Sequence, residues 1–385
     1  MDVVALGESM VTFLPSRPGR LADVPSFDRG IGGAESNVAC VLAAAGHSTR
    51  WISRVGADGF GDHLVEAIGG YGVDVSHVRR DPTRPTGIYF RTAGDRATDA
   101  HEVAYYRAGS AASAMTAADL DLEAVRAGRV LHLSGITPAL STDCLTLIRE
   151  LTAPHPDRPL ISFDVNHRPA LWRDTHGPEV LLDLARGADI VFVGEDEAEE
   201  AWGITGGPSH IREVLPEPDT LVVKQGARGA VAFGPTAGSR TRLPAGSRAA
   251  GAMGVPPLER SREWGRAGAD GTPQAPGSAT TPRPATTAPA LKVDVVATTG
   301  AGDAFAAGFL SATLRDLPLR DRLRHGHLMA AATLTTPGDL APPPPRALAD
   351  RLVALDDTAW GRLRLGPGWT QADEDERAEK EARTP

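Results

Sequence analysis

Lysine is scarce in this chain: Lys224, Lys292 and Lys380 are three among 40 basic residues in 385. Cysteine is scarcer still, with Cys40 and Cys144 alone. Both fall in apolar, helix-like segments and read as buried free thiols, so a disulfide framework is not expected. No apolar run reaches the roughly 18 residues of a membrane-spanning helix. The opening Met-Asp-Val-Val lacks the basic start of a secretory leader. A soluble, cytoplasmic protein is the expectation. There is no extended basic run, and the formal charge is −9 with a pI near 5.7. Nucleic acid and anionic membrane are therefore poor partners. A Gly-x4-Gly-Lys-Ser/Thr sequence is absent, which rules out a P-loop.

What the chain does have is Thr298-Thr299-Gly300-Ala301-Gly302-Asp303-Ala304-Phe305. Upstream, Lys292 to Val296 has the β-branched run of a buried strand. Downstream, Asp303 to Leu314 is Ala-rich, with Phe305, Phe309 and Leu310 at helical spacing. The glycines thus stand where a strand turns into a helix. They permit a tight turn and a close approach by a ligand. The first N–H groups of the helix lack partners there and carry the positive end of its dipole, which makes an anion site. A carboxylate in that turn is ordinarily a cap. Beside a phosphate cradle it would repel the resting anion, unless its task is to take a proton from whatever attacks the phosphate. The Rossmann fingerprint does not fit, because it wants Gly or Ala where Phe305 stands and an early place in the chain.

In chain order, Val3–Leu6 reads as a short buried strand ending at Gly7-Glu8. Gly30, Gly32 and Gly33 form a loop before a helix from about Glu35 to Gly46, with Asn37 in its first turn. Thr49–Val55 is the next strand, and a helix to about Ile68 follows Gly56-Ala-Asp-Gly-Phe-Gly61. Thr86–Arg91 and Glu102–Arg107 alternate as an exposed β-ribbon. Too small to be stable alone, it should close over a site or against a second subunit, projecting Tyr89, Tyr105 and Arg107. From Ala118, strands at 130–133, 160–163, 189–193 and 220–223 alternate with helices centred near Leu147, Leu182 and Ala198. That beat implies a mainly parallel sheet covered on both faces. Ligands bind such sheets at the carboxyl ends of the strands. Three polar clusters fall there: Phe163-Asp-Val-Asn-His-Arg168, Gly194-Glu-Asp-Glu197 and Lys224-Gln-Gly-Ala-Arg-Gly229. Residues 235–290 are dense in Pro, Gly, Ala, Ser and Thr and read as a disordered insertion, with folding resuming near Leu291. Residues 1–350 read as one domain and 351–385 as an extension whose charged tail, from Gln371, is also disordered.

Thr299-Gly-Ala-Gly-Asp-Ala-Phe305 resembles the signature of the ribokinase-like (PfkB) carbohydrate kinases. Gly32-Gly-Ala-Glu-Ser-Asn-Val-Ala39 is similar to their N-terminal signature. The resemblance covers about 1–234 and 291–350, and it implies an α/β, three-layer α/β/α fold with a small β-ribbon lid. It implies Asp303 as the base toward a sugar hydroxyl and the amides of Gly300, Ala301 and Gly302 as the anion cradle. Lys224, Gly226, Arg228, Gly229 and Thr298 would lie near ATP, and Glu197 would hold Mg²⁺ through water. Within the family the chain most resembles 2-keto-3-deoxygluconate kinases, through Tyr105-Tyr-Arg-Ala-Gly-Ser-Ala111, His132-Leu-Ser-Gly-Ile-Thr-Pro-Ala-Leu140, Leu171-Trp172 and Gly338-Asp339. This places Gly33, Asn37, Tyr89, Tyr105, Arg107, Arg168 and Asp339 around a sugar acid. Arginine suits a carboxylate, which it grips with a planar pair of donors. The family's lids also suggest a homo-oligomer.

Two positions depart from the family pattern. Ala297 replaces an Asp associated with monovalent-cation binding, so the resemblance carries no potassium requirement to this chain. Gly194 replaces the Asn of Asn-x-x-Glu while Glu197 is kept. A general PfkB sugar kinase, and a non-catalytic sensor of sugar acid or nucleotide, are the competing readings.

Overall fold

A computed structural model describes residues 1–17, 19–92, 102–172, 176–235 and 285–371. The chain opens with β1 (Val3–Leu6), β2 (Met10–Pro15) and β3 (Phe27–Gly32), then α1 (Ala34–Ala44). Next come β4 (Thr49–Ile52), β5 (Arg54–Gly56), α2 (Gly59–Gly70), β6 (Arg79–Asp81), β7 (Ile88–Arg91) and β8 (Val103–Tyr106). The alternating stretch follows as α3 (Leu122–Arg126), β9 (Val130–Ser134), α4 (Thr142–Thr152), β10 (Leu160–Asp164) and α5 (Gly177–Arg186). It continues through β11 (Ile190–Gly194), α6 (Glu195–Trp202), α7 (Pro208–Val214), β12 (Thr220–Lys224) and β13 (Ala230–Phe233). After β14 (Ala285–Ala288) and β15 (Lys292–Val293), the chain ends in α8 (Ala301–Leu314), α9 (Leu319–Leu334), α10 (Arg346–Val353), α11 (Asp357–Arg362) and β16 (Arg364–Leu365).

Eight strands form one sheet in the order β14-β13-β12-β11-β10-β9-β1-β4. It is parallel from β12 to β4, while β13 and β14 run antiparallel at one edge. Successive strand residues point to opposite faces, and both faces are apolar. Leu131, Leu133, Val191 and Val193 pack on one side with Leu147 and Ile148 of α4, Leu181 of α5 and Ile211 of α7. Val130, Ile190, Phe192 and Val222 pack on the other with Val38 of α1, Phe305 and Phe309 of α8 and Met329 of α9. This is the three-layer α/β/α arrangement expected from the strand–helix beat. Parallel strands put all their carboxyl ends along one rim, and that rim carries the site.

The ribbon belongs to a larger sheet than the sequence suggested. β7 and β8 pair antiparallel as expected, but β2 and β3 join them in the order β3-β2-β7-β8. Phe13, Phe27, Phe90 and Tyr106 stack on one face of this lid, with Phe13 and Phe90 4.8 Å apart. The lid is pinned to the body at Asp58, which caps α2 by accepting from Phe60 N and Gly61 N. The same carboxylate accepts from Thr86 N at 2.9 Å, just before β7.

Three expectations need correction. Lys292–Val296 is not a buried strand. Only Lys292 and Val293 are in a strand, pairing with β16 outside the main sheet, and Val295 and Val296 are exposed. A β-branched run looks the same whether it is central or peripheral, and the partner that decides the matter comes from the far end of the chain. The chain is part of the main sheet before Leu291, because β14 adds itself to β13 and buries Ala288. The rest of the expected insertion and tail, 236–284 and 372–385, lie outside the described residues. The boundary at 350 is not a structural one, since α10 crosses it. Beyond it Trp360 is fully buried, stacked under the buried Arg324 of α9 at 4.5 Å.

Candidate active site

A cleft of about 1060 Å³ runs along the rim between the strand ends, the lid and the start of α8. Of the residues singled out in the sequence, Asp303, Gly300, Gly302, Gly33, Asn37, Tyr89, Tyr105 and Arg107 line it. So do Arg168, Asp339, Lys224, Gly226, Arg228, Thr298 and Glu197. Ala301 and Gly229 do not. The Ala301 N–H turns inward to Thr298 O at 3.4 Å. Gly229 has φ +125° and serves the tight turn between β12 and β13, where a Cβ would stand 2.3 Å from Ala288 O.

Gly300 has φ +78° and opens α8. A Cβ there would stand 2.1 Å from the carbonyl oxygen of Asp339, so no other residue fits this backbone. Gly302 is exposed to the cleft in the first turn of α8. Together with the first turn of a helix 14 residues long, these glycines make an anion cradle. Asp303 faces the same space. Its Oδ2 accepts from Asn37 Nδ2 at 2.8 Å, which joins the start of α1 to the start of α8. Burial pushes the Asp303 carboxyl up to about 8, against the pull of the Asn37 hydrogen bond; Asp164 and Asp339 raise it further and Lys224 lowers it. A carboxyl so placed exchanges a proton near neutral pH, which suits a general base.

At the lid end, Tyr89 Oη donates to Asp339 Oδ2 at 2.7 Å and Arg91 Nη2 donates to Oδ1 at 2.5 Å. Arg107 pairs with Glu8 and lies 5.8 Å over the Tyr105 ring; Glu8 also accepts from Ser110 Oγ at 2.6 Å. Arg168 is the more available arginine. It is half exposed, donates to its neighbour's carbonyl and stands 3.8 Å from Glu197.

At the other end, Arg228 and Gln225 both bond Glu195. Glu197 Oε2 accepts from Gly194 N at 2.6 Å, so half of this carboxylate is spent on the start of α6. No cluster of three or more metal-ligating side chains occurs among the described residues. The second oxygen of the Glu197 carboxylate faces the cleft, one protein ligand of the kind that an ion such as Mg²⁺ combines with water and phosphate.

Glu8 and Arg91 also line the cleft and were not singled out in the sequence, and Asp164 and Asn166 line it from within the strand-end cluster at 163–168. Glu8 and Asp164 sit at the carboxyl ends of β1 and β10, so the strand-end rule applied to every strand finds them. Asn166 holds φ +40°, and its buried Oδ1 has no hydrogen-bond partner among the described residues.

A pfkB family carbohydrate kinase model matches residues 1–246 and 281–346. The chain is 32% identical over 345 residues to a 2-dehydro-3-deoxygluconokinase of Bacillus subtilis, covering 88% of this chain and 91% of that one. It is 35% identical over 236 residues to a 2-dehydro-3-deoxygluconokinase of Thermoproteus tenax, covering 60% and 72% respectively. A PfkB protein of Polaromonas sp. JS666 superposes with a TM-score of 0.70 at 29% identity, covering 91% of this chain and 99% of that one. The family model covers well over half of the chain, and the chain belongs to the pfkB family of carbohydrate kinases.

Proposed function

We propose that this carbohydrate kinase transfers the γ-phosphoryl group of ATP to the C6 hydroxyl of 2-keto-3-deoxygluconate. The observation that carries the reading is that Asp303 and the cradle share one cleft with Arg107, Arg168 and Tyr89. The names of the two relatives at 32% and 35% identity support the same substrate class. Asp303 takes the proton of the hydroxyl as its oxygen bonds to the γ-phosphorus. The bond from that phosphorus to the bridging oxygen breaks, and its electrons leave with ADP. Gly300 and Gly302 hold the charge that spreads over the transferred group. Arg168, half exposed at the cleft, meets the substrate carboxylate, and Tyr89 orients the chain of hydroxyls. Mg²⁺, held beside Glu197, would neutralise the phosphates. Thr298, Gly226 and Arg228 line the nucleotide end. Val103, Tyr105 and Tyr106 leave an exposed lid edge on β8, which favours a homo-oligomer built through the lid.

One observation favours a neutral sugar instead. Arg107 and Arg91 are each already matched by an internal carboxylate, Glu8 and Asp339. An ADP-release assay with 2-keto-3-deoxygluconate, its galactonate counterpart, fructose and ribose decides between them. Turnover of the keto acid is expected; turnover of fructose or ribose with none of the keto acid would reject the reading.

A further inference from the structure

Asp164 and Lys224 stand two strands apart, on β10 and β12, at the rim where Asp303 sits. Lys224 Nζ lies 3.0 Å from both Oδ1 and Oδ2 of Asp164. The Asp164 side chain is 4% exposed and the Lys224 side chain 21%, so the carboxylate is the floor and the ammonium the part that faces the cleft. Lys224 Nζ also lies 3.7 Å from where a Cβ on Gly302 would be. An ammonium has three donors. Asp164 engages one side of it, and the side over Gly302 is left for a ligand. An anion seated on the cradle therefore meets amides from below and an ammonium from the flank.

A buried ion pair does little for stability compared with apolar side chains of the same volume. Its place at the rim needs another reason. The choice of lysine is informative in a chain that otherwise uses arginine: a compact ammonium is a point charge, where a guanidinium is a broad fork.

We propose that Lys224 is a catalytic residue that steadies the phosphoryl group in flight over Gly302, and that Asp164 is the positioning residue that aims it. This deepens the kinase reading of the site, and it holds for whichever sugar or sugar acid is the acceptor. Bond changes are those of phosphoryl transfer: oxygen–phosphorus forms at the acceptor, phosphorus–oxygen breaks toward ADP, and the proton goes to Asp303. Lys224 keeps its protons throughout. Burial alone would lower the Lys224 ammonium, and the carboxylates of Asp164 and Glu197 outweigh it and raise it.

The pair also governs Asp303. The charges facing that carboxyl are Asp164 on β10, Lys224 on β12 and Asp339 after α9, with Asn37 of α1 as its hydrogen-bond partner. Lys224 opposes the two acids. Removing Lys224 must therefore raise the pH at which Asp303 ionises, and removing Asp164 must lower it.

The test is steady-state kinetics of the full chain, with the best acceptor found for the wild type, across a range of pH. Lys224→Met should lower kcat about 100- to 1000-fold, as loss of one oxyanion donor does, with the KM for ATP nearly unchanged. Its acid limb in kcat/KM should move to higher pH. Asp164→Asn should also lower kcat, and its acid limb should move to lower pH. If Lys224→Met does not fold, the double variant removes both charges together and should show the same loss in kcat. A near-normal kcat in Lys224→Met or in the double variant overturns the proposal, as do limbs that stay put or move together. Rejection of the keto acid as substrate changes the acceptor used and leaves this test standing. A wild-type chain inert on every sugar overturns both readings.

Discussion

Arg91 and Asp339 form an ion pair at 2.5 Å with each side chain only 4% exposed, joining the lid to the loop that touches Gly300. The two residues are 248 apart in sequence. Asp339 thereby does three things: it accepts from Tyr89, it accepts from Arg91, and its own carbonyl packs against the cradle. A buried pair contributes little net stability, but removing one member leaves the other charge buried and alone. Arg91→Leu is expected to lose about 3–5 kcal/mol in urea unfolding. The double variant Arg91→Leu/Asp339→Asn should lose clearly less. An equal or larger loss in the double variant would show that the arginine matters for its packing and not for Asp339.

Asp303→Asn removes the proton acceptor while keeping the shape of the side chain and an oxygen for Asn37 Nδ2 to donate to. A fall in kcat of about 100- to 10,000-fold is expected, the usual contribution of a general base. ATP binding, followed by calorimetry or ligand-induced melting, should be retained. A rate within a few-fold of wild type would mean that some other group takes the proton.

The raised ionisation of Asp303 fixes the sign of two pH dependences. The kinase needs the carboxylate, so kcat/KM should climb with pH through about 8 and level off above it. Stability runs the other way. Between the unfolded value of 3.8 and the folded value of about 8 the native state holds a proton that the unfolded chain has lost. This contribution therefore falls as pH rises through that window and is flat beyond it. Asp303→Asn carries no such term, so its melting temperature should gain on the wild type from acid to alkaline pH. A constant difference across the range would show that the carboxyl titrates normally.

The sequence was most legible where period and punctuation agree. β9 to β12 are continuous apolar runs separated by amphipathic helices, and the Ser141 cap and Leu147–Ile148 spacing mark α4 without help from tertiary structure. The cradle was legible because two glycines before an Ala-rich helix have few other uses. The hidden parts depend on distant partners. β2 and β3 are short and become half of the lid only by pairing with β7. α9 was masked because Arg324, His325 and His327 are buried inside it, each held by a partner that no local pattern shows. Glu8 was hidden for the same reason. A lone acid just past a strand end looks like solvent-facing polarity until Arg107 arrives to pair with it.

The segment after residue 350 bears on the site through Trp360. Its ring is fully buried under Arg324, and its Nε1 donates to Pro289 O at 3.0 Å, at the start of the stretch that leads to the cradle. β16, immediately after it, pairs with β15 in the same stretch. Thr298 and Thr299 thus approach the cleft along a backbone held by the end of the chain at Asp294 and by Leu334 O of α9 at Val296 and Ala297, rather than by the main sheet. Trp360→Ala should leave a cavity costing about 3–5 kcal/mol, read by urea unfolding. Because the bracing lies beside the cradle, kcat should fall alongside stability, even at temperatures where the variant is fully folded. Trp360→Phe keeps most of the ring and loses only the bond to Pro289, so it should recover most of the stability. A Trp360→Ala protein with the stability loss and an unchanged kcat would show that the cradle holds its geometry without the C-terminal brace.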